Sequence, residues 1–214
     1  MTARRPRIAA SGVATGRGDD GTTGLLFGGP RVTKDDPATE AYGTIDEAVA
    51  ALGAARAELL DAAAVPGAPG ALAELAVLIL RLQRELFVVG AELATTPTAR
   101  ARLTDGVTRV SETMLEALEA ILAEHEAAVE MPREFVVPGE TRASAALEVA
   151  RTATRRAERR IVTFKREGGS FGPSLLPYVN RLADLLWILA RAAEQAASRP
   201  AVPARTSPRP RRPR

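Results

Sequence analysis

Seven apolar residues, Leu72, Leu75, Leu78, Ile79, Leu82, Leu86 and Val89, recur three or four positions apart through one stretch of this chain. That spacing lines one side of a helix turning about 100° per residue and conflicts with the two-residue repeat of a strand. Four further stretches carry the same period, so helices are expected at about Pro37–Ala64, Ala71–Leu93, Asp105–Glu130, Thr141–Arg166 and Ser174–Ala197. Pro37 suits a first helical turn behind an Asp35 or Asp36 cap. VPGAPG breaks the first helix from the second, and MPREFVVPGE reads as a short extended piece between prolines. Helices of this length joined by short connections pack most simply as an up-and-down bundle. Composition agrees: 46% of residues are hydrophobic but only 4% aromatic, so the core is built from Ala, Leu and Val. Such a core favours close-packed helices over a sandwich or barrel. An all-α five-helix bundle is the expected fold.

Charge divides the chain unevenly. Residues 198–214 contain six arginines, five prolines and no acid, and removing that +6 from the net +3 leaves residues 1–197 at −3. A mildly acidic body is a poor nucleic-acid-binding domain. The tail is expected to be disordered, because Pro and Arg at that density bury no core. Residues 1–14 are expected to be flexible, with one domain over 15–197. There is no cysteine, which excludes disulfides, thiolate catalysis and Cys-ligated metals. No run approaches the ~20 apolar residues of a membrane span, and the N-terminal apolar run is too short for a signal-peptide core. A cytoplasmic protein with no membrane or nucleic-acid partner is expected.

Two helices carry more polar chemistry than a bundle needs. In the fourth, Val149, Ala153, Ala157, Ile161 and Phe164 form an apolar stripe, while Arg151, Arg155, Glu158 and Arg159 share a sector far round from it. Arg156 and Arg160 lie on a flank. A solvated charged face is one reading. Against it, arginines stacked four apart repel unless an anion or partner carboxylates sit opposite, and arginine suits bidentate capture of phosphate or carboxylate. In the fifth helix Leu175, Val179, Leu182, Leu186 and Leu189 mark a buried stripe. Asn180, Asp184, Trp187 and Arg191 mark a second face, on which Asn180 and Asp184 serve either as surface decoration or as bundle-internal hydrogen-bonding groups. Asp46 and Glu47 near the start of the first helix also simply suit its dipole.

Familiar catalytic arrangements are missing. There is no GxxxxGK[ST] phosphate loop, and the single histidine, His125, has no neighbour that would make it a metal ligand. No Ser–His pair has supporting context, so any reactive atom must come from a cofactor or substrate. Ahead of the helices stands GDDGTTGLLFGG, residues 18–29, whose glycines suit tight turns or close backbone approach to a ligand.

Four segments together resemble the PduO-type ATP:cob(I)alamin adenosyltransferases: TGRGDDGTTGLLFGGPRVTKDDPATEAYGTIDEAVAALG, LQRELFVVGAELAT, FVVPGETRASAALEVARTATRRAERRIV and YVNRLADLLWILAR. They span about residues 15–191 in the family's order. The specificity lies in the combination of the glycine-rich opening, the R-x-x-x-R-R-x-E-R helix and the N-R-L-x-D helix.

The resemblance implies transfer of the 5′-deoxyadenosyl group of ATP to Co(I) of reduced cobalamin, giving adenosylcobalamin and triphosphate. It implies a homotrimer with active sites between subunits, magnesium on the phosphates, an electron-donating reductase and an adenosylcobalamin-dependent acceptor enzyme. Segment 15–36 would wrap ATP, with Thr15, Gly18, Asp19, Gly21, Thr22, Thr23 and Lys34 around the triphosphate. Arg155, Arg156, Glu158 and Arg159 would contact ATP from the fourth helix and Asn180 from the fifth. Asp46 resembles an acid that pairs with an arginine, here Arg151, across the subunit boundary. Asp184 would orient neighbouring arginines, and Phe135 would displace the corrinoid's lower ligand. No protein ligand to the metal is assigned. The chain departs from the family pattern in having Arg17 where a threonine is usual, one extra residue in GTTGLLFGG, and PGE in place of P-G-G. The rival readings are a non-catalytic ATP- or corrinoid-binding delivery protein and a helical scaffold whose arginine helix touches RNA.

Overall fold

A computed structural model describes residue 11 and residues 13–206 of the chain. Five helices form it: α1 (Pro37–Ala63), α2 (Gly70–Leu93), α3 (Glu112–Ala128), α4 (Arg142–Arg166) and α5 (Leu175–Ala196). Two short antiparallel pairs accompany them, β1 (Thr22–Thr23) with β2 (Val32–Thr33), and β3 (Val136–Val137) with β4 (Val202–Pro203). Asp36 caps α1 by accepting from the Ala38 amide at 2.8 Å, with Pro37 in the first turn as expected. Thr141 and Ser144 form a reciprocal capping box at α4.

Cross-links fix the directions of the helices. Early α1 meets late α4 through Glu47 and Arg156, and late α1 meets early α4 through Glu58 and Arg142 at 2.8 Å, so the two run antiparallel. Glu158 with Asn180 and Glu148 with Arg191 make α5 antiparallel to α4. Leu52, Leu59, Ile79, Leu82, Leu86, Leu147, Ile161, Leu182 and Leu186 are all fully buried in one core. This is the expected up-and-down bundle, and the α5 stripe from Leu175 to Leu189 is wholly buried.

Three expectations need correction. The third helix begins at Glu112, not Asp105, because Ser111 provides the cap, accepting from the Met114 amide at 3.2 Å. The residues before it are already committed to a turn, where the Thr104 carbonyl accepts the amides of Val107, Thr108 and Arg109. Val149 is 62% exposed, because α4 is gripped by both α1 and α5 and its buried line runs through Leu147, Ala150, Thr154, Ala157 and Ile161 instead. Arg191, on the second face of α5, lies in the core, 1% exposed. The tail is ordered in its first part: Val202–Pro203 pair with Val136–Val137, supplying the strand that β3 needs. Residues 207–214 lie outside the described residues, as do 1–10 and 12. Among the described residues no helix is long and apolar enough to cross a membrane.

Candidate active site

The glycine-rich leader folds into a compact turn-and-hairpin. Gly16, Gly21, Gly28 and Gly29 all hold positive φ, between 66° and 107°, which side chains with a Cβ adopt at a cost. Thr22 and Thr23 pair with Thr33 and Val32. The Asp20 carboxylate accepts from the Thr22 amide at 2.9 Å and the Thr22 hydroxyl at 2.8 Å. These bonds, with the nearby Arg31 guanidinium, hold the Asp20 carboxyl below its ordinary value. Arg31 is the hub of the leader, donating to the Thr22 hydroxyl at 2.7 Å and to the carbonyls of Arg17 and Thr22 at 2.7 and 2.9 Å. Lys34 leans against Gly18, where a Cβ would lie 3.0 Å from its Nζ. Thr15 is exposed, and its hydroxyl accepts from the Arg17 amide at 3.5 Å. The leader is anchored at the far end of α2, where the Leu26 amide donates to the Ala94 carbonyl at 2.8 Å. Arg102 caps the Phe27 ring at 4.4 Å.

A cavity of about 630 Å³ opens between α3, α4, α5 and the segment carrying β3. Arg151 and Arg155 reach it from α4, Arg181, Asp184 and Trp187 from α5, and Phe135 from the segment before α4. Four residues singled out in the sequence, Arg151, Arg155, Asp184 and Phe135, thus share one chamber. Helix spacing explains it: Arg151 and Arg155 are four apart on α4, and Arg181, Asp184 and Ile188 follow the same rule on α5.

Behind the cavity lies a buried ionic network. The Arg191 guanidinium makes a two-point bond to Glu194 at 2.7 and 2.9 Å and reaches Glu148 at 3.3 Å. Glu148 turns its other oxygen to Arg151 Nε at 2.6 Å. Each buried carboxylate is therefore met by a guanidinium, as burial of charge requires. Asn180 and Glu158 are bonded at 3.1 Å, and the Asn180 carbonyl also accepts from Arg181 at 2.9 Å. Arg159 bends back to the Arg155 carbonyl at 3.1 Å, and Arg156 pairs with Glu47 of α1. Among the described residues no group of three or more His, Cys, Asp or Glu is placed to hold a metal ion.

A sequence model of the family described as cobalamin adenosyltransferase matches residues 13–193. The chain belongs to this family. A corrinoid adenosyltransferase of Citrobacter freundii is 40% identical over 182 residues, covering 85% of this chain and 94% of the relative. The corrinoid adenosyltransferase PduO of Salmonella typhimurium is 39% identical, and the chain spans only half of that relative's length. A variant PduO-type ATP:corrinoid adenosyltransferase from Lactobacillus reuteri, solved in complex with cobalamin and ATP, superposes with a TM-score of 0.76 at 30% identity. It covers 90% of this chain and 98% of its own.

The lining of the arginine cavity includes no residue of the leader. Asp46 is exposed and lines a separate apolar cavity of about 420 Å³ with Leu26, Val49 and Phe87, away from the Arg151 chamber. Three participants were not singled out in the sequence: Arg31, Glu148 and Arg181. Arg181 lies inside the N-R-L-x-D motif and could have been found by asking which neighbour of Asp184 faces the same way. Arg31 and Glu148 act through contacts that pattern alone does not reveal.

Proposed function

We propose that this chain transfers the 5′-deoxyadenosyl group of ATP to the Co(I) centre of reduced cobalamin. The observation that carries it is the convergence of Arg151 and Arg155 with Asp184 and Phe135 on one cavity, in a chain of this family. The electron pair of Co(I) attacks the ribose 5′ carbon; a cobalt–carbon bond forms, the carbon–oxygen bond breaks, and triphosphate leaves with that bond's electrons. The nucleophile has no proton to lose, so the reaction needs no general base. The protein must supply positive charge to the leaving group and alignment to the reacting atoms. Arg155 and Arg159 of α4, with Lys34, Thr15, Thr22, Thr23, Gly18, Asp19 and Gly21 of the leader, are proposed to supply the first. Phe135 is proposed to occupy the lower face of the corrinoid, keeping axial donors off cobalt and making Co(II) easier to reduce. Magnesium would be carried mainly by phosphate oxygens, in keeping with a donor set that offers no carboxylate cluster of its own.

The site is proposed to lie between copies of the chain. No residue of the chain's own leader lines the arginine cavity, which is consistent with a neighbour's leader closing it. The apolar patch around Leu26, Val49 and Phe87, with Phe87 64% exposed, offers the contact surface for a trimer. Asp46 at its edge would then meet Arg151 of the adjacent copy, whose bond to Glu148 uses Nε alone. A reductase must deliver the electron, since the chain has no thiol, and an adenosylcobalamin-dependent enzyme would take the product. Cytoplasmic placement follows from the same reading.

The test is an anaerobic assay with cob(I)alamin, ATP and magnesium. Adenosylcobalamin and triphosphate in equal amounts support transfer. Nucleotide binding with neither product would leave only a delivery protein.

A further inference from the structure

The stretch from Glu130 to Pro138, which carries Phe135, hangs from the C-terminal end of the chain at two points. At its start the Glu130 amide donates to the Gln195 side-chain carbonyl at 3.2 Å, and the Gln195 amide group returns a bond to the Glu130 carbonyl at 2.8 Å. At its middle, Val136 and Val137 pair with Pro203 and Val202, and the Ala204 amide donates to the Phe135 carbonyl at 2.7 Å. The chain reaches back to make the second tether by reversing after α5. Ser198 takes φ 53°, and the amides of Ser198 and Arg199 bond the carbonyls of Gln195 and Glu194, each at 2.9 Å. Pro200 and Pro203 then limit the freedom of the returning segment, lowering the entropy lost when it pairs.

This return strand adds little to the core. Val202 is 44% exposed and both residues of β4 face solvent, so its pairing serves β3 and not the bundle's stability. Phe135 itself is 91% exposed and lines two chambers. One is the arginine cavity; the other, about 420 Å³, is bounded by Phe135, Trp187, Ala204 and Arg205. The tail therefore forms a wall on the side of Phe135 away from the arginines. An aromatic ring that exposed has little packing of its own to hold it, and its position depends on its backbone.

We propose that residues 198–205 are a positioning strap, and that the bond from Ala204 to the Phe135 carbonyl fixes the ring against the corrinoid face. The proposal rests on the reading of Phe135 as the corrinoid-contacting residue. The strap contributes to corrinoid binding and to exclusion of the lower ligand, and not to ATP capture, which belongs to α4 and the leader.

The experiment compares the full chain with truncations lacking residues 199–214 or 207–214 and with Ala204→Pro, which removes the donor N–H and also restricts the backbone at 203 and 204. Losing an ordered backbone bond costs about a fivefold weakening. The 199–214 truncation and Ala204→Pro are expected to raise KM for cobalamin by about that factor or more, with KM for ATP and the melting temperature little changed. The absorption change that ATP induces in bound cob(II)alamin should shrink in parallel. Removing residues 207–214 alone should change none of these. Hydrogen exchange of the amides from Phe135 to Val137 provides a readout free of catalysis, and it should speed up in both strap variants. Should the full chain lack transferase activity while exchange still accelerates, the strap stands and the corrinoid role of Phe135 falls. Unchanged exchange at 135–137 would overturn the strap outright. So would an unchanged KM for cobalamin in an active enzyme, or an equal loss on removing only 207–214.

Discussion

Glu148 and Arg151 are joined at 2.6 Å, and the same carboxylate reaches Arg191 in the core at 3.3 Å. A buried ionic network thus continues into a cavity-facing arginine, so the arginine's pose is set from behind. Arg191→Ala would strand Glu194 as a buried carboxylate and leave Glu148 with Arg151 as its one remaining guanidinium partner. The expected cost is about 3–5 kcal/mol of folding stability, read from urea denaturation. An unchanged midpoint would show that the carboxylates find water or other partners instead.

Arg155 stands in contrast, exposed and reaching the cavity from the same helix. Arg155→Ala is expected to lower kcat by roughly 10²-fold or more, as removal of a charge-stabilising donor does. Stability should stay within about 0.5 kcal/mol, as for other exposed positions. Parallel collapse of the melting temperature and of turnover would make Arg155 a structural residue.

The bundle was legible in the sequence because its period is set by burial. The α5 stripe from Leu175 to Leu189 repeats every three to four residues and is completely buried. The misreadings have physical causes. Ser111 caps α3, but polar residues from Asp105 to Arg109 blur the boundary, because a turn closed on the Thr104 carbonyl has no hydrophobic signature. The pattern places Arg191 on the second face of α5 but cannot show that Glu148, forty-three positions earlier, and Glu194 neutralise it inside the core. The tail's composition argued for disorder, yet one open strand edge at Val136–Val137 is enough to order Val202–Pro203. Of the candidate site, the two helical motifs converge as their spacing demands. Asp46 instead lines the separate cavity with Leu26 and Phe87, a placement that helix periodicity does not reveal.

That separation yields a prediction about assembly. Phe87 is 64% exposed, so Phe87→Asp should leave helix content unchanged while shifting the sedimentation profile to smaller species and abolishing transfer. Asp46→Asn should weaken assembly or raise KM for cobalamin through loss of the proposed pairing with Arg151 of an adjacent copy. A trimer of normal stability with normal kinetics in both variants would remove the case for an inter-subunit site.

The leader's order should withstand mild acid. The Asp20 carboxyl is held below its ordinary value, chiefly by the Thr22 amide and then by the Thr22 hydroxyl. Its contribution to the hairpin is therefore complete above the unfolded-state value and is lost only as pH falls through the lower folded-state value. A carbon-13 titration should place the Asp20 midpoint below 3.8, and Asp20→Asn should loosen the leader at neutral pH. A midpoint at or above 3.8 would mean that the bonds to Thr22 do not persist in solution.

The arginines of α4 and the glycine-rich leader are proposed to grip the triphosphate of ATP together. Calorimetric titration of magnesium–ATP into the full protein, into Arg155→Ala and into a chain lacking residues 1–36 tests it most directly. The predicted result is clear binding by the full protein and at least about a tenfold loss in each variant, with helix content preserved. Equal affinity in all three proteins, or no heat with any of them, would contradict it.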